Sequence, residues 1–112
     1  MGWFRRLRRS RNKAPGSGRG RSDLKAGIQH LEGFVASRQG VEAYLEPRTT
    51  VTETTVLLIA HDGEWTRRRV GSPEEAYALG KRLSIPVYDT NLVGYPQRMR
   101  DYNERQKRSQ SS

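Results

Sequence analysis

The chain of 112 residues contains no cysteine. That absence excludes a disulfide framework, a thiolate zinc site and a cysteine nucleophile, and two histidines alone cannot complete a tetrahedral metal site. Apolar residues are sparse as well: 33% are hydrophobic against 29% charged, and the mean hydropathy is -0.91. Such a chain has the length of one domain and the material for a small core. No run approaches the ~18 consecutive apolar residues of a membrane span, and the N-terminus lacks the apolar middle of a secretory signal, so the expected location is cytoplasmic.

Acidic residues are missing from the first 22 positions, and this absence decides how the formal net charge of +9 is read. Residues 1–22 carry Arg5, Arg6, Arg8, Arg9, Arg11, Lys13, Arg19 and Arg21 without an acid. Residues 23–103 hold ten basic and eleven acidic residues, and residues 104–112 hold three basic and one acidic. The expected folded part is close to neutral, and the excess charge lies on its ends. That is the pattern of tails that meet an anionic surface, or of tails that keep a small domain soluble.

The run Ala14-Pro-Gly-Ser-Gly-Arg-Gly-Arg21 has no apolar period and reads as a linker, which sets a basic flexible tail over 1–22, a small domain over 23–103 and a basic polar tail over 104–112. Leu24, Ile28, Leu31 and Val35 recur at helical spacing, so a helix is predicted over 23–38 with Ser22 as its N-cap and Gly40 as its stop. Val41 to Glu46 alternates and ends at Pro47; the β-branched run from Thr49 to Thr55 leads into Val56-Leu-Leu-Ile59, giving a second strand. Asp62-Gly63 between β-prone runs signals a hairpin with a two-residue type I′ loop. That loop would set Ala60, Leu58 and Val56 opposite Trp65, Arg67 and Arg69, and Ile59 and Leu57 opposite Thr66 and Arg68. Ser72 and Pro73 open a second helix, with Glu74 and Glu75 at its positive end, and this helix ends near Ser84. Ile85 to Tyr88 is extended, and a last helix runs over about 96–107 with only Met99 and Tyr102 to anchor it. The fold class is α+β: helix, three-stranded antiparallel meander, helix, short extended segment, C-terminal helix.

Few constellations carry chemistry. Gly16, Gly18 and Gly20 lack the flanking strand and helix of a phosphate-cradling loop. His61 and Asp62 sit at a hairpin tip, where Asp62 is sufficiently explained as a turn former, and His30 falls off the apolar stripe of its helix. Glu42, Glu46, Glu53 and Asp89 could supply acid–base pairs, but no spacing selects one. In the run Arg67-Arg68-Arg69, strand alternation puts Arg67 and Arg69 with Trp65 on one face and Arg68 on the other. The first face could stack bases or bind phosphates; equally, Trp65 could be core and the arginines paired with strand glutamates. Trp3, Phe4 and Leu7 fall within one helical arc among arginines, as in an interfacial membrane anchor.

The stretches Arg48-Thr-Thr-Val-Thr-Glu-Thr-Thr-Val-Leu-Leu-Ile-Ala-His-Asp-Gly-Glu-Trp-Thr-Arg-Arg-Arg-Val-Gly-Ser-Pro73 and Leu92-Val-Gly-Tyr-Pro-Gln-Arg-Met-Arg-Asp-Tyr-Asn103 resemble a family of small uncharacterised actinobacterial proteins over about residues 41–103. Some members carry an oxidoreductase label, which maps onto no residue of this sequence. The order helix, three strands, helix also resembles a double-stranded-RNA-binding domain, but Glu74 and Glu75 stand where that domain presents lysines to phosphates.

The residues therefore lead to a non-catalytic accessory protein that binds RNA or DNA electrostatically through residues 1–22, with Trp65, Arg67 and Arg69 as a folded contact. The alternative is a peripheral membrane-surface protein anchored by Trp3, Phe4, Leu7 and the following arginines. A third reading is a small enzyme with Tyr44, Tyr77, Tyr88 or Tyr95 in a cleft; as an oxidoreductase it would need an external cofactor. The residues themselves imply no cofactor and single out no protein partner.

Overall fold

The β-prone runs form a meander, and a fourth strand joins it from the far side. A computed structural model describes residues 17–111, with side chains from 20 to 110, and places strands β1 (Glu42–Glu46), β2 (Thr55–Ile59), β3 (Trp65–Arg69) and β4 (Val87–Asp89) in one sheet. The strand order is β3-β2-β1-β4, with β1–β2 and β2–β3 antiparallel and β4 parallel to β1. Helices α1 (Ser17–Ser37), α2 (Pro73–Leu83), α3 (Thr90–Val93) and α4 (Gln97–Ser111) complete the described part. The architecture is α+β. The extended segment expected over Ile85–Tyr88 thus becomes a strand, reached from β3 through the α2 crossover.

Strand alternation divides the core between the two sheet faces. On one face, Ala43, Leu45, Val56 and Leu58 pack with Leu31 and Phe34 of α1 and with Ala76 and Leu79 of α2. On the other, Tyr44, Leu57 and Ile59 pack with Met99 of α4, and Trp65 lies partly buried against them. Leu57, Leu58 and Ile59 are fully buried, each contributing about 1.5–3 kcal/mol relative to exposure. This sheet is covered on both sides, by α1 and α2 on one face and by α4 on the other.

Local chemistry sets the ends of α2 as expected. Ser72 Oγ accepts from the Glu75 N–H at 3.2 Å, Pro73 follows in the first turn, and Ser84 closes the helix in the left-handed region at φ 61°. α1, by contrast, begins at Ser17, six residues before the expected start at Asp23, so Ser22 is inside the helix and not its cap. A glycine in a helix costs only about 1 kcal/mol against alanine, and a helix already nucleated and packed carries that cost. α4 likewise runs to Ser111, past the expected end near 107. Thr49 to Thr54 forms no strand: Thr49 Oγ1 accepts from the N–H groups of Val51 and Thr52, and this local turn competes with the ladder.

The hairpin is present, but its loop is longer than the Asp-Gly signal implied. Ala60 N–H donates to Glu64 O at 2.8 Å and Gly63 N–H to Ala60 O at 3.0 Å, so His61, Asp62 and Gly63 form a three-residue loop, with Gly63 at φ 94°. The register shifts by one residue: Ile59 faces Trp65, Leu58 faces Thr66 and Leu57 faces Arg67. Leu57 and Ile59, not Leu58 and Val56, therefore share a face with Trp65 and Arg67. Asp62 does act as a turn former, accepting from the Glu64 N–H at 3.0 Å.

Candidate nucleic-acid interface

β3 forms one edge of the sheet, and α1 lies along it. The three arginines of β3 alternate between the faces, and each meets a different environment. Arg67 reaches back over the sheet, where its Nε and Nη2 donate to Glu46 Oε1 and Oε2 at 2.8 and 2.9 Å. The same guanidinium stands 5.3 Å from the centre of the Trp65 ring. Arg69 donates to Glu53 Oε1 at 2.8 Å and lies 3.7 Å from Asp23 of α1. Trp65 is half-buried, and its Nε1 donates to Asn103 Oδ1 at 2.8 Å. Of the expected trio, Trp65 and Arg67 are therefore brought together while Arg69 turns to Glu53 and Asp23, and both arginines are engaged by carboxylates of the domain.

Arg68 is placed differently. Its side chain turns to the α1 side, where Nη1 donates to Arg67 O at 2.7 Å and lies 3.4 Å from Thr66 Oγ1. No carboxylate oxygen lies within 4.0 Å of it among the described residues. Beside it, His30 Nε2 shares a hydrogen bond of 2.8 Å with Thr66 Oγ1. Desolvation, followed by the positive charges of Arg68 and Arg38, holds the His30 imidazole below its ordinary pKa. A cavity of about 590 Å³ between α1 and β3 is lined by His30, Gly27 and the three arginines. A second, of about 380 Å³, adjoins it at His30 and is lined by Phe34, Arg38, Trp65 and Thr66.

Glu46, one of the four carboxylates that the sequence offered without selecting a pair, is the hub of a polar network. It lies at the carboxyl end of β1, with a side chain 15% exposed, and accepts from Arg67, from Thr55 Oγ1 at 2.7 Å and from the Tyr95 hydroxyl. Burial pushes its pKa up, but the bonds from Arg67, Thr55 and Tyr95 outweigh it, so the carboxyl sits below its ordinary range. The polar cleft around it measures about 470 Å³ and also takes in Thr90 and Asn91. Only the cross-strand register could have signalled this hub, because its partners come from three different elements.

The remaining basic residues divide. Arg98 is structural: Nε donates to Ala60 O at 3.0 Å and Nη2 to Glu42 Oε1 at 2.8 Å, which ties α4 to the hairpin. Arg105 donates to Asp62 O at 2.9 Å. Arg21 is exposed in α1, and Arg19 belongs to the same helix. Arg5, Arg6, Arg8, Arg9, Arg11 and Lys13, with Trp3, Phe4 and Leu7, lie outside the described residues. Among the described residues no group of three His, Cys, Asp or Glu side chains could hold a metal ion, and no helix is long and apolar enough to cross a membrane. No family model matches the chain, and no curated protein or solved structure matches it either.

Proposed function

We propose that this chain is a small accessory protein that binds RNA or DNA mainly through charge, with the basic run of residues 1–22 as its arm and the α1–β3 groove as the surface beside it. The supporting observation is the placement of charge. Arg38, Arg67, Arg69, Arg82 and Arg98 are each held by a glutamate of the domain, while the eight basic residues of positions 1–22 meet no acid in their own stretch. α1 continues from that stretch, and its Asp23 lies 3.7 Å from Arg69 at the end of the groove.

Binding of this kind releases counterions, so log affinity falls with log salt by about 0.9 per phosphate neutralised on duplex DNA. Fluorescence anisotropy of labelled structured RNA and duplex DNA against the full chain, across about 50 to 200 mM salt, tests it. The expected result is a steep fall, made shallower when Arg5, Arg6, Arg8 and Arg9 are replaced by alanine. Binding indifferent to salt, or none at low salt, overturns the reading. The membrane alternative rests on Trp3, Phe4 and Leu7: it requires anionic vesicles to capture the chain and the double change Trp3→Ala, Phe4→Ala to abolish that capture while sparing phosphate binding.

A further inference from the structure

Resting on that reading, we infer that the α1–β3 groove holds a phosphate seat, in which the Arg68 guanidinium and the His30 imidazole together take the oxygens of one backbone phosphate. The arm then supplies most of the affinity, and the seat fixes where on the domain the polyanion lies.

Local packing builds the seat. At Gly27, α1 comes so close to β3 that a Cβ there would stand 3.3 Å from Arg68 Cβ and 3.7 Å from Arg68 Cγ. The Arg68 stem therefore lies along the helix, and Nη1, bonded to Arg67 O at 2.7 Å, holds the guanidinium at the other end. A side chain already held in this way loses little freedom when a ligand arrives. Arg67 and Arg38 each grip a glutamate with the edge formed by Nε and Nη2. In Arg68 the same edge bonds to no described residue, and its two parallel N–H groups match two oxygens of a phosphate.

His30 is the neighbour across this space. Its Nε2 lies 2.8 Å and Arg68 Nη1 lies 3.4 Å from one atom, Thr66 Oγ1, so both side chains lean on the same hydroxyl. Nδ1 of His30 bonds to no described residue and is a donor both in the imidazolium and in the neutral tautomer whose Nε2 accepts from Thr66. Burial first, then the charges of Arg68 and Arg38, hold this imidazole below its ordinary pKa. The carboxylates that line the two cavities meeting at His30, Asp23 and Glu64, stand beside Arg69 at 3.7 Å and Arg38 at 2.6 Å. An oxyanion bound to Arg68 offsets the cationic share of the depression and draws a proton to the ring.

The surroundings have the matching sign. Three arginines and one acid, Asp23, line the cavity of about 590 Å³, whereas the glutamates that hold Arg67 and Arg69, Glu46 and Glu53, line the neighbouring cleft. Arg68 and His30 are exposed, and the helix that carries His30 continues from the basic run of residues 1–22. A phosphate reaches the seat from solvent without displacing an ion pair.

The test uses the full chain with His61→Gln, so that His30 is the one imidazole that titrates, and a labelled DNA hairpin as probe. Arg68→Gln is expected to weaken binding by about tenfold and to lower the slope of log affinity against log salt by about 0.9, the value of one phosphate contact. Arg100→Gln removes the same charge from exposed α4 and is expected to leave the slope nearly unchanged. Arg68→Lys keeps the charge, and with it the slope, but lacks the planar edge and recovers only part of the affinity. Far-ultraviolet circular dichroism verifies that the variants fold. In proton NMR titrations the DNA hairpin is expected to raise the His30 midpoint, which makes binding tighter at about pH 5.5 than at about pH 7.5, and His30→Gln is expected to lose that difference. An Arg68→Gln effect no larger than that of Arg100→Gln, or a His30 midpoint that DNA leaves in place, overturns the seat while leaving the arm intact. An equal rise with polyglutamate overturns phosphate as its ligand. Failure of the unaltered chain to bind the hairpin at low salt overturns instead the proposed function on which the inference rests.

Discussion

Gly63→Ala probes how α4 is held to the sheet. Gly63 adopts φ 94°, and a Cβ there would stand 2.2 Å from the carbonyl oxygen of Arg98 and 2.9 Å from Tyr102 Cβ. The first contact is with helix backbone, so a rotamer change cannot relieve it; α4 itself has to shift. That helix is fixed at the same place by Arg98 bonded to Ala60 O and Glu42, by buried Met99, and by Asn103 accepting from Trp65. Leaving glycine at positive φ costs about 1–2 kcal/mol, and forcing a packed element aside costs about 1–3 kcal/mol more. The expected loss is therefore about 2–5 kcal/mol, a large part of the stability of a small domain. Gly40→Ala is the control: its φ is 61°, and the nearest atom to a Cβ is that of the exposed His61 side chain at 3.1 Å. It carries the backbone penalty and one tight contact, with His61 Cβ, and displaces no packed helix. Urea unfolding followed by circular dichroism measures both variants, and a Gly63→Ala loss no larger than that of Gly40→Ala would refute the docking of α4 on the hairpin.

The depressed Glu46 carboxyl contributes stability that is present above the unfolded pKa of about 4.3 and is lost as pH falls through the folded value. Urea midpoints should drop below about pH 5 in the native chain and less steeply in Glu46→Gln; parallel slopes would contradict the hub. Tyr44, pushed up to about 12 by burial and by its hydrogen bond to Glu42, has the opposite sign: its contribution is full below about pH 10 and declines as pH rises toward that value. Phenolate absorbance should show one tyrosine ionising last, and Tyr44→Phe should remove it at a stability cost of about 0.5–1.5 kcal/mol. Leu58→Ala, at a fully buried position, should cost about 3 kcal/mol in urea, against at most about 1 kcal/mol for Arg82→Ala, which breaks only an exposed pair with Glu32. Similar losses for the two would contradict the assignment of the core.

What was legible in the sequence was what nearest neighbours decide. Ser72, Pro73 and Ser84 fix α2 through bonds within their own turns, and alternation in Val41–Glu46 and Val56–Ile59 fixes the strands that carry the meander. Asp62-Gly63 announces a hairpin, but a glycine at positive φ serves a two-residue and a three-residue loop alike, so the expected two-residue loop put the register one residue off. The packing of Arg98 and Tyr102 onto Gly63 joins residues more than thirty positions apart and leaves no local signal. The partners of Glu46, which the sequence offered only as one of four carboxylates, were hidden for the same reason: Arg67 lies 21 positions away and Tyr95 lies 49 away. The division of the arginine triplet between faces was readable from alternation. Which arginines find carboxylates depended on the register that sequence alone left one residue out.

β3 leaves its outer side without a strand partner among the described residues, and an open edge of this kind is a template on which further chains add. Its last three residues are arginines. A second copy aligning its own β3 in parallel register would set each arginine against its own kind, and Arg68, which has no carboxylate within 4.0 Å among the described residues, would meet like charge. Arginines on an edge strand guard against self-association, and changing all three to threonine is expected to make this edge more prone to aggregation.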